Sequence, residues 1–160
     1  MGIALSPSLG WGAGQKTATV ITSNTMTASS QTNQAIFREN VKMVQEELIV
    51  HSDVMIVHFK EKGTTETSSR GQASTQESKK EISLIEARNH VKISKGESRA
   101  TCRHAVYDKQ AETIVLRGSP VVWQAGTRVS GQKITMFLKE NRSVVEGGTR
   151  VTIEGEGENE

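Results

Sequence analysis

The side chains best suited to chemistry in this 160-residue chain are four histidines, His51, His58, His90 and His104. Their spacing includes no HxxxH or HExxH pair, the pattern that ligates zinc from one face of a helix. His51 and Asp53 would share a face of a strand, and the carboxylate could then orient the imidazole. Exposed strand histidines explain the pattern more simply. We therefore expect no metal site and no catalytic residue, unless His51, Asp53 and His104 cluster in a cleft.

Other sequence motifs of catalysis are missing. The chain has neither a GxSxG elbow nor a P-loop; Gly147-Gly148 has the context of a turn, and Glu46-Glu47 that of a solvated strand start. Cys102 is the only cysteine, so an intramolecular disulfide is impossible and a buried structural thiol is expected. The sequence thus predicts neither an enzyme nor a bound cofactor.

The composition favours strands that leave part of their surface open. Val, Ile and Thr together number 42 against 6 Leu, and β-branched side chains suit a pleated surface. Three Phe, two Trp and one Tyr are few large core residues, which favours a partly open groove over a thick core. The formal net charge of +2 is too small to indicate a nucleic-acid partner.

Short apolar runs alternate with polar residues along most of the chain. Examples are Leu48-Ile49-Val50, Val91-Lys92-Ile93 and Ile134-Thr135-Met136-Phe137-Leu138. Period-two alternation places one set of side chains on an inner face and the next in water. We predict an all-β chain with little or no helix, in one domain over residues 15–153.

A hairpin-sized unit recurs four times, with an apolar residue, a polar turn and an apolar strand. The copies are Phe37–Val41, Ala87–Val91, Leu116–Val121 and Val144–Val151. A unit of this size cannot bury its apolar face alone and must stack on its neighbours. The repeats therefore predict an elongated β structure with two packed faces about 10 Å apart.

Three segments depart from this rhythm. Residues 1–14 are similar to the end of a secretory signal peptide. Residues 61–80 are rich in Gly, Ser, Thr, Gln and charge, which predicts a mobile loop. Residues 154–160 form an acidic tail that we expect to be disordered.

From about Ile21 to Val151 the chain resembles the OstA-like (LptA) family of periplasmic lipopolysaccharide transport proteins. The matching motifs are Ile21-Thr22-Ser23-Asn24, Phe37-Arg38-Glu39-Asn40-Val41, Ser52-Asp53, Ala105-Val106-Tyr107-Asp108, Leu116-Arg117-Gly118-Ser119-Pro120 and Val129-Ser130-Gly131-Gln132-Lys133-Ile134-Thr135. Each motif alone is weak, whereas the ordered set at these spacings is specific. The chain departs from the family at turn positions, where Glu39 replaces the usual glycine and Asn24, Ser119 and Gln132 replace Asp, Asn and Asp.

The resemblance implies a twisted β jelly roll, open along one edge, that holds the acyl chains of lipid A. It implies work in the periplasm during outer-membrane biogenesis. It also implies head-to-tail association with further copies and with LptC-like and LptD-like jelly-roll domains, forming a bridge between inner and outer membrane. An ATP-driven transporter elsewhere supplies the energy, so the resemblance implies no catalytic residue.

The resemblance and the alternation together predict the lining of the lipid-binding groove. The predicted residues are Thr19, Ile21, Phe37, Val41, Met43, Leu48, Val50, Met55, Val57, Phe59, Val91, Ile93, Tyr107, Leu116, Val122, Ile134, Met136 and Leu138. After Asp53 the alternation also allows a competing face with Val54, Ile56 and His58, and we prefer the set that keeps Phe59 inside. Ordinary core packing explains each residue equally well, because core and groove are one surface in this fold.

Two other interpretations remain open. An LptC-like or other OstA-domain component of the same bridge would share the fold, and a membrane anchor in the full-length gene would favour it. A ligand-free structural β-repeat module would have a fully packed and dry interior.

Overall fold

The computed structural model describes residues 18–61 and 80–155. The predicted signal remnant (1–14), residues 62–79 of the predicted loop and residues 156–160 of the tail lie outside the described residues. The described part contains no helix, and thus none with the length and apolarity to cross a membrane. Its strands are β1 (Val20–Thr22), β2 (Thr25–Ser29), β3 (Gln34–Gln45), β4 (Leu48–Glu61), β5 (Lys80–Lys95), β6 (Ser98–Asp108), β7 (Thr113–Arg117), β8 (Val121–Gln124), β9 (Thr127–Ser130), β10 (Lys133–Phe137), β11 (Arg142–Glu146) and β12 (Arg150–Ile153).

Antiparallel pairing divides the sheet into two halves that share the long strands β3, β4, β5 and β6. Half-sheet A has the order β1-β3-β4-β5-β6-β8-β9-β12. Half-sheet B has the order β2-β3-β4-β5-β6-β7-β10-β11. The apolar core lies between the two halves. The prediction of an all-β, twisted and open jelly roll is confirmed.

The chain bends between the two halves where consecutive residues have left-handed backbone conformations. The pairs are Glu39-Asn40 (φ 64° and 52°), Asn89-His90 (63° and 49°), Gly118-Ser119 (77° and 54°) and Gly147-Gly148 (75° and 58°). In β3 and β5 the pair causes a register shift, since two residues stand opposite one on the neighbouring strand. These pairs are the polar turns of the four repeated units. Each repeat therefore contributes one bend to a corner line between half-sheets A and B.

Close backbone contacts hold the corner line together. The amide of Asn24 donates to the carbonyl oxygen of Glu39 at 2.9 Å, and that of Arg103 donates to Gly118 at 3.1 Å. A Cβ added at Gly118 would lie only 2.5 Å from Cβ of Arg103. The neighbouring strand therefore fills the space that a side chain at this bend would need.

Glycine at the first bend is expected to stabilise the fold, and alanine at the third bend to destabilise it. A left-handed backbone costs an L-residue roughly 1–2 kcal/mol, and glycine avoids this cost. Glycine also raises the conformational entropy of the unfolded chain, which offsets part of the gain in stability. Glu39→Gly should therefore raise the free energy of unfolding by up to about 1 kcal/mol. Gly118→Ala should lower it by more than about 1 kcal/mol, through both backbone strain and the contact with Arg103. Urea denaturation measures both variants, and changes of the same sign would contradict this account of the corner line.

The inward face of β4 changes parity at the corner line. The residues buried on this strand are Val50, Ser52, Met55 and Val57. Two outward residues, Asp53 and Val54, therefore follow one another between Ser52 and Met55. The structure places Phe59 against the core and leaves the competing face of Val54, Ile56 and His58 outside.

Candidate functional site

The two half-sheets leave an open groove between them, towards the strand ends farthest from the corner line. Its cavity volume is about 480 Å³, within the range of roughly 300–1,000 Å³ typical of ligand pockets. Half-sheet A contributes Leu48, Ile93, Ala100 and Val122 to its apolar lining, and half-sheet B with the turn after β10 contributes Tyr107, Ile114, Met136 and Leu138. We call this cavity the groove mouth.

Polar and charged residues surround the groove mouth. Two tight hairpin turns, β3–β4 and β5–β6, carry most of them, and positive φ angles at Glu46 (53°) and Gly96 (58°) allow these turns. The rim residues are Gln45, Glu46, Glu47, Lys95, Ser98 and Arg99. An apolar lining with a charged rim suits an amphiphile whose chain lies inside and whose polar group lies at the rim.

Towards the corner line the interior is filled by protein side chains. Val41, Met55, Val91, Leu116 and Ile134 are each at most 1% exposed. Between these residues and the groove mouth, a small cavity lined by Met43, Val50 and Ile85 among others measures only about 20 Å³, roughly the space of one water molecule. The interior is therefore a wedge that is packed along its apex and open at its mouth.

All residues predicted to line the groove except Thr19 belong to the apolar cluster between the half-sheets. Fully buried are Val41, Met43, Val50, Met55, Val57, Val91, Ile93, Leu116 and Ile134, and partly buried are Ile21, Phe37, Leu48, Phe59, Tyr107, Val122, Met136 and Leu138. Thr19 precedes β1 and is half-buried. Those that line the groove mouth are Leu48, Ile93, Tyr107, Val122, Met136 and Leu138.

The cluster has further members that are absent from the predicted groove lining. They are Ile82, Ile85, Ala87, Ala100, Cys102, Ala105, Ile114 and Val145, of which Cys102 was predicted only as a buried thiol. Extending the alternation through β5 and β7 would have predicted Ile85 and Ile114 as inward residues. Alanine occurs on both faces of strands, so the sequence pattern does not predict that Ala87, Ala100 and Ala105 face inward. Cys102 is buried, and burial raises the pKa of its thiol to about 11, so the thiol stays protonated and unreactive at neutral pH.

Tyr107 places a phenol at the groove mouth. Burial raises the pKa of Tyr107, and the nearby carboxylates of Glu112 and Asp108 raise it further. The side chain therefore presents a neutral hydroxyl among apolar neighbours at physiological pH.

Asp53 and His104 contact other residues and not one another. Nδ1 of His90 lies 2.6 Å from Oδ2 of Asp53, and Nε2 of His104 lies 3.4 Å from Oε2 of Glu86. Asp53 and His104 thus have different partners, and no contact joins either of them to His51 among the described residues. In residues 18–61 and 80–155, no group of three or more His, Cys, Asp or Glu side chains is arranged to hold a metal ion.

Glu86 is the centre of a polar network on the outer face of half-sheet B. Its carboxylate lies 3.0 Å from Nε2 of His58 and 2.7 Å from Nη2 of Arg88, and Nδ1 of His58 lies 3.0 Å from Nε2 of Gln34. Burial acts to raise the pKa of Glu86, but the contacts with Arg88, His58 and His104 outweigh it and lower the pKa below its ordinary value. The network joins β3 to β6 and serves the sheet structurally.

Large exposed apolar side chains lie at both edges of the sheet. Val20 and Met26 are on the N-terminal edge strands β1 and β2. Val144, Val151 and Ile153 are on the C-terminal edge strands β11 and β12, and Ile153 is 75% exposed. Edge strands also present unpaired backbone donors and acceptors, so both ends of the sheet are suited to adding another strand.

Known proteins share this architecture. The structure matches the crystal structure of LptH from Pseudomonas aeruginosa, the LptA homologous periplasmic component of the conserved lipopolysaccharide transport device. The TM-score is 0.69 at 10% sequence identity, and the match covers 87% of this chain and 96% of that one. At this identity the likeness shows the fold alone. An uncharacterized protein of Rhizobium meliloti (strain 1021) is 33% identical over 97 residues, which are 61% of this chain and 47% of the relative, so the chain spans about half of its length.

A family-level match covers most of the described strands. Residues 20–142 match the family described as LptA/(LptD N-terminal domain) LPS transport protein. The matched range includes the residues of the groove mouth and three of the four bends. The resemblance inferred from the turn motifs is confirmed, and the family is one of transport components rather than of enzymes. The chain belongs to the LptA/LptD N-terminal domain family of lipopolysaccharide transport proteins.

Proposed function

We propose that the chain is a periplasmic, non-enzymatic carrier of lipopolysaccharide that shields lipid A acyl chains between its half-sheets. The observation that carries this proposal is the open apolar groove mouth of about 480 Å³ with its charged rim, in a chain of the lipopolysaccharide transport family. Burial of one methylene contributes about 0.8 kcal/mol, so a lipid with several acyl chains gains strongly from an apolar trough.

The connection between the half-sheets supports entry of acyl chains deeper into the wedge. Every strand pairing in the described part of the chain lies within half-sheet A or within half-sheet B. If the two half-sheets move apart at the groove mouth, side-chain contacts between them are lost, but no backbone hydrogen bond between paired strands is broken. Met43 and Met136 lie on this interior surface, and their flexible thioethers adapt readily to a new neighbour.

The two edges of the sheet support a head-to-tail bridge. In such a bridge β12 of one copy adds to β1 of the next, and β11 adds to β2. This pairing covers the exposed apolar side chains of both edges and joins the grooves into one trough. LptC-like and LptD-like jelly-roll domains would bind at the same edges where the bridge meets the inner and outer membranes.

Photocrosslinking at neighbouring positions of β10 tests the carrier function. Met136 lines the groove mouth, whereas its neighbour Thr135 points to the opposite face of the strand. A benzophenone side chain at Met136 should capture lipopolysaccharide in periplasm-containing cells, and one at Thr135 should not. Equal labelling at both positions, or none at either, would overturn the carrier and favour a ligand-free structural module.

A further inference from the structure

A second hollow lies on the outer face of half-sheet A, over β5, β6, β8 and the β8–β9 turn. Its cavity volume is about 590 Å³, and Trp123 lies in its wall. The Trp123 side chain takes no part in the core cluster and is 37% exposed. The guanidinium carbon of Arg128 lies 5.7 Å from the centroid of the indole ring, a cation–π distance. We call this hollow the Trp123 cleft.

Cationic and anionic groups share the Trp123 cleft. Its charged residues are Lys92, Arg99, Arg128, Glu97 and Glu154. Strand register places Arg99 on β6 and Arg128 on β9 directly beside Trp123. Each arginine offers a planar fork of donors that matches a carboxylate or a phosphate. The tryptophan ring thus lies between two groups that recognise anions.

Neutral polar groups complete the wall of the cleft. Gln124 and the hydroxyls of Ser94, Thr101 and Thr127 are part of its lining. Amides and hydroxyls both donate and accept hydrogen bonds, which suits a ligand rich in hydroxyl groups. An aromatic ring supplies apolar contact for the C–H face of a sugar. The two carboxylates disfavour a continuous polyanion or an anionic membrane surface, because those would place negative charge against Glu97 and Glu154.

The Trp123 cleft adjoins the groove mouth. Ile93, Arg99 and Ala100 line both cavities, so the cleft and the mouth lie on the two sides of the β5–β6 hairpin. An amphiphile with its chains in the groove emerges at the rim beside Arg99. Its polar part then needs to pass around the end of the β5–β6 hairpin to reach Trp123.

We propose that the Trp123 cleft binds an acidic sugar, a ring that carries phosphate or carboxylate, and that this sugar belongs to the glycan of the lipid held in the groove. The source of the sugar, but not its chemistry, rests on the proposed carrier function. Arg99 and Arg128 hold the anionic group, Trp123 contacts the ring, and Gln124 binds hydroxyls.

Tryptophan fluorescence measures this binding directly. The chain has two tryptophans, so a Trp11→Phe background leaves Trp123 as the only reporter. Titration with fully deacylated lipopolysaccharide, a water-soluble phosphorylated oligosaccharide, should give a saturable change, whereas maltopentaose and inorganic phosphate should each bind at least tenfold more weakly. Arg99→Gln and Arg128→Gln should each weaken binding of the deacylated glycan about tenfold. Arg117→Gln, an exposed arginine of half-sheet B that does not line the cleft, should leave it unchanged.

A comparison of intact lipopolysaccharide with the deacylated glycan tests whether the bound sugar belongs to the lipid in the groove. In the parent protein intact lipid should bind Trp123 more tightly than deacylated glycan, and a variant that closes the groove to acyl chains, Leu138→Asp, should remove this advantage. Three results would contradict a sugar site in the Trp123 cleft. They are the lack of a saturable fluorescence change with the glycan, binding of inorganic phosphate as tight as that of the glycan, and a loss of glycan affinity in Arg117→Gln equal to that in the cleft variants. If a crosslinker at Met136 captures lipid while the glycan does not bind, the sugar site is wrong and the carrier function is supported. If the glycan binds while Met136 captures no lipid, the sugar site is supported and the carrier function is wrong.

Discussion

Replacing Leu138 with aspartate is expected to reduce capture of lipopolysaccharide in the groove by at least tenfold while the protein stays folded. Leu138 is partly buried at the groove mouth, and its amide donates to the carbonyl oxygen of Glu112 at 3.0 Å. The backbone bond survives the substitution. A carboxylate there must lose water when an acyl chain packs against it, which costs more than the ~1.4 kcal/mol that a tenfold change requires.

A matched charge on the other face of β10 serves as the control for Leu138→Asp. Thr135→Asp adds the same carboxylate to the outer face, where it stays hydrated, and should leave capture at Met136 unchanged. Crosslinking yield at Met136 and the melting temperature are measured for both variants. Full capture in folded Leu138→Asp would show that acyl chains do not pass this part of the mouth.

Proline at Val151 is expected to convert a concentration-dependent series of oligomers into monomers. The amide of Glu154 donates to the carbonyl oxygen of Gly126 at 2.9 Å, and Val151 is the Cα partner of Val129. In an antiparallel pair the amides that face the partner strand alternate along the chain. Glu154 and Thr152 therefore point their amides towards β9, whereas Val151 points its amide to the open edge.

The direction of this amide makes Val151→Pro a selective test of assembly. Proline removes a donor that only an added strand would use, and its ring adds a steric block at the edge. The variant should stay folded and still capture lipid at Met136, yet sediment as a monomer where the parent does not. Thr152→Pro removes a donor of the β9–β12 ladder and should destabilise the C-terminal edge instead. If the parent is monomeric at every accessible concentration, self-assembly through this edge is wrong.

Much of the fold follows from local signals in the sequence. Alternation predicted the strands, and the four repeated turns marked the positions where the chain bends. Glu39 stands at one of these positions and adopts the left-handed backbone (φ 64°) without glycine. The bend therefore forms without its usual glycine, and the backbone hydrogen bond from Asn24 to the carbonyl oxygen of Glu39 does not depend on the side chain at this position.

Other features depend on pairing between distant parts of the chain. Alternation predicts a face only within an uninterrupted ladder, so it could not show that Asp53 and Val54 both face outward. Asp53 and His90 are 37 residues apart in the sequence, and they come into contact at the bulge in the β4–β5 pairing. The Trp123 cleft needs the register of β6, β8 and β9. No local pattern around Trp123 distinguishes it from a core aromatic residue.

The corner line has a consequence for how the length of such a protein changes in evolution. Each repeated unit brings one bend and strands on both sides of it, and neighbouring strands lie about 4.8 Å apart. Duplication of one hairpin therefore lengthens the trough by roughly 10 Å while leaving its width and depth unaltered. A duplication of one hairpin-sized segment of the gene can thus extend the apolar surface of the chain without redesigning any contact inside the existing wedge.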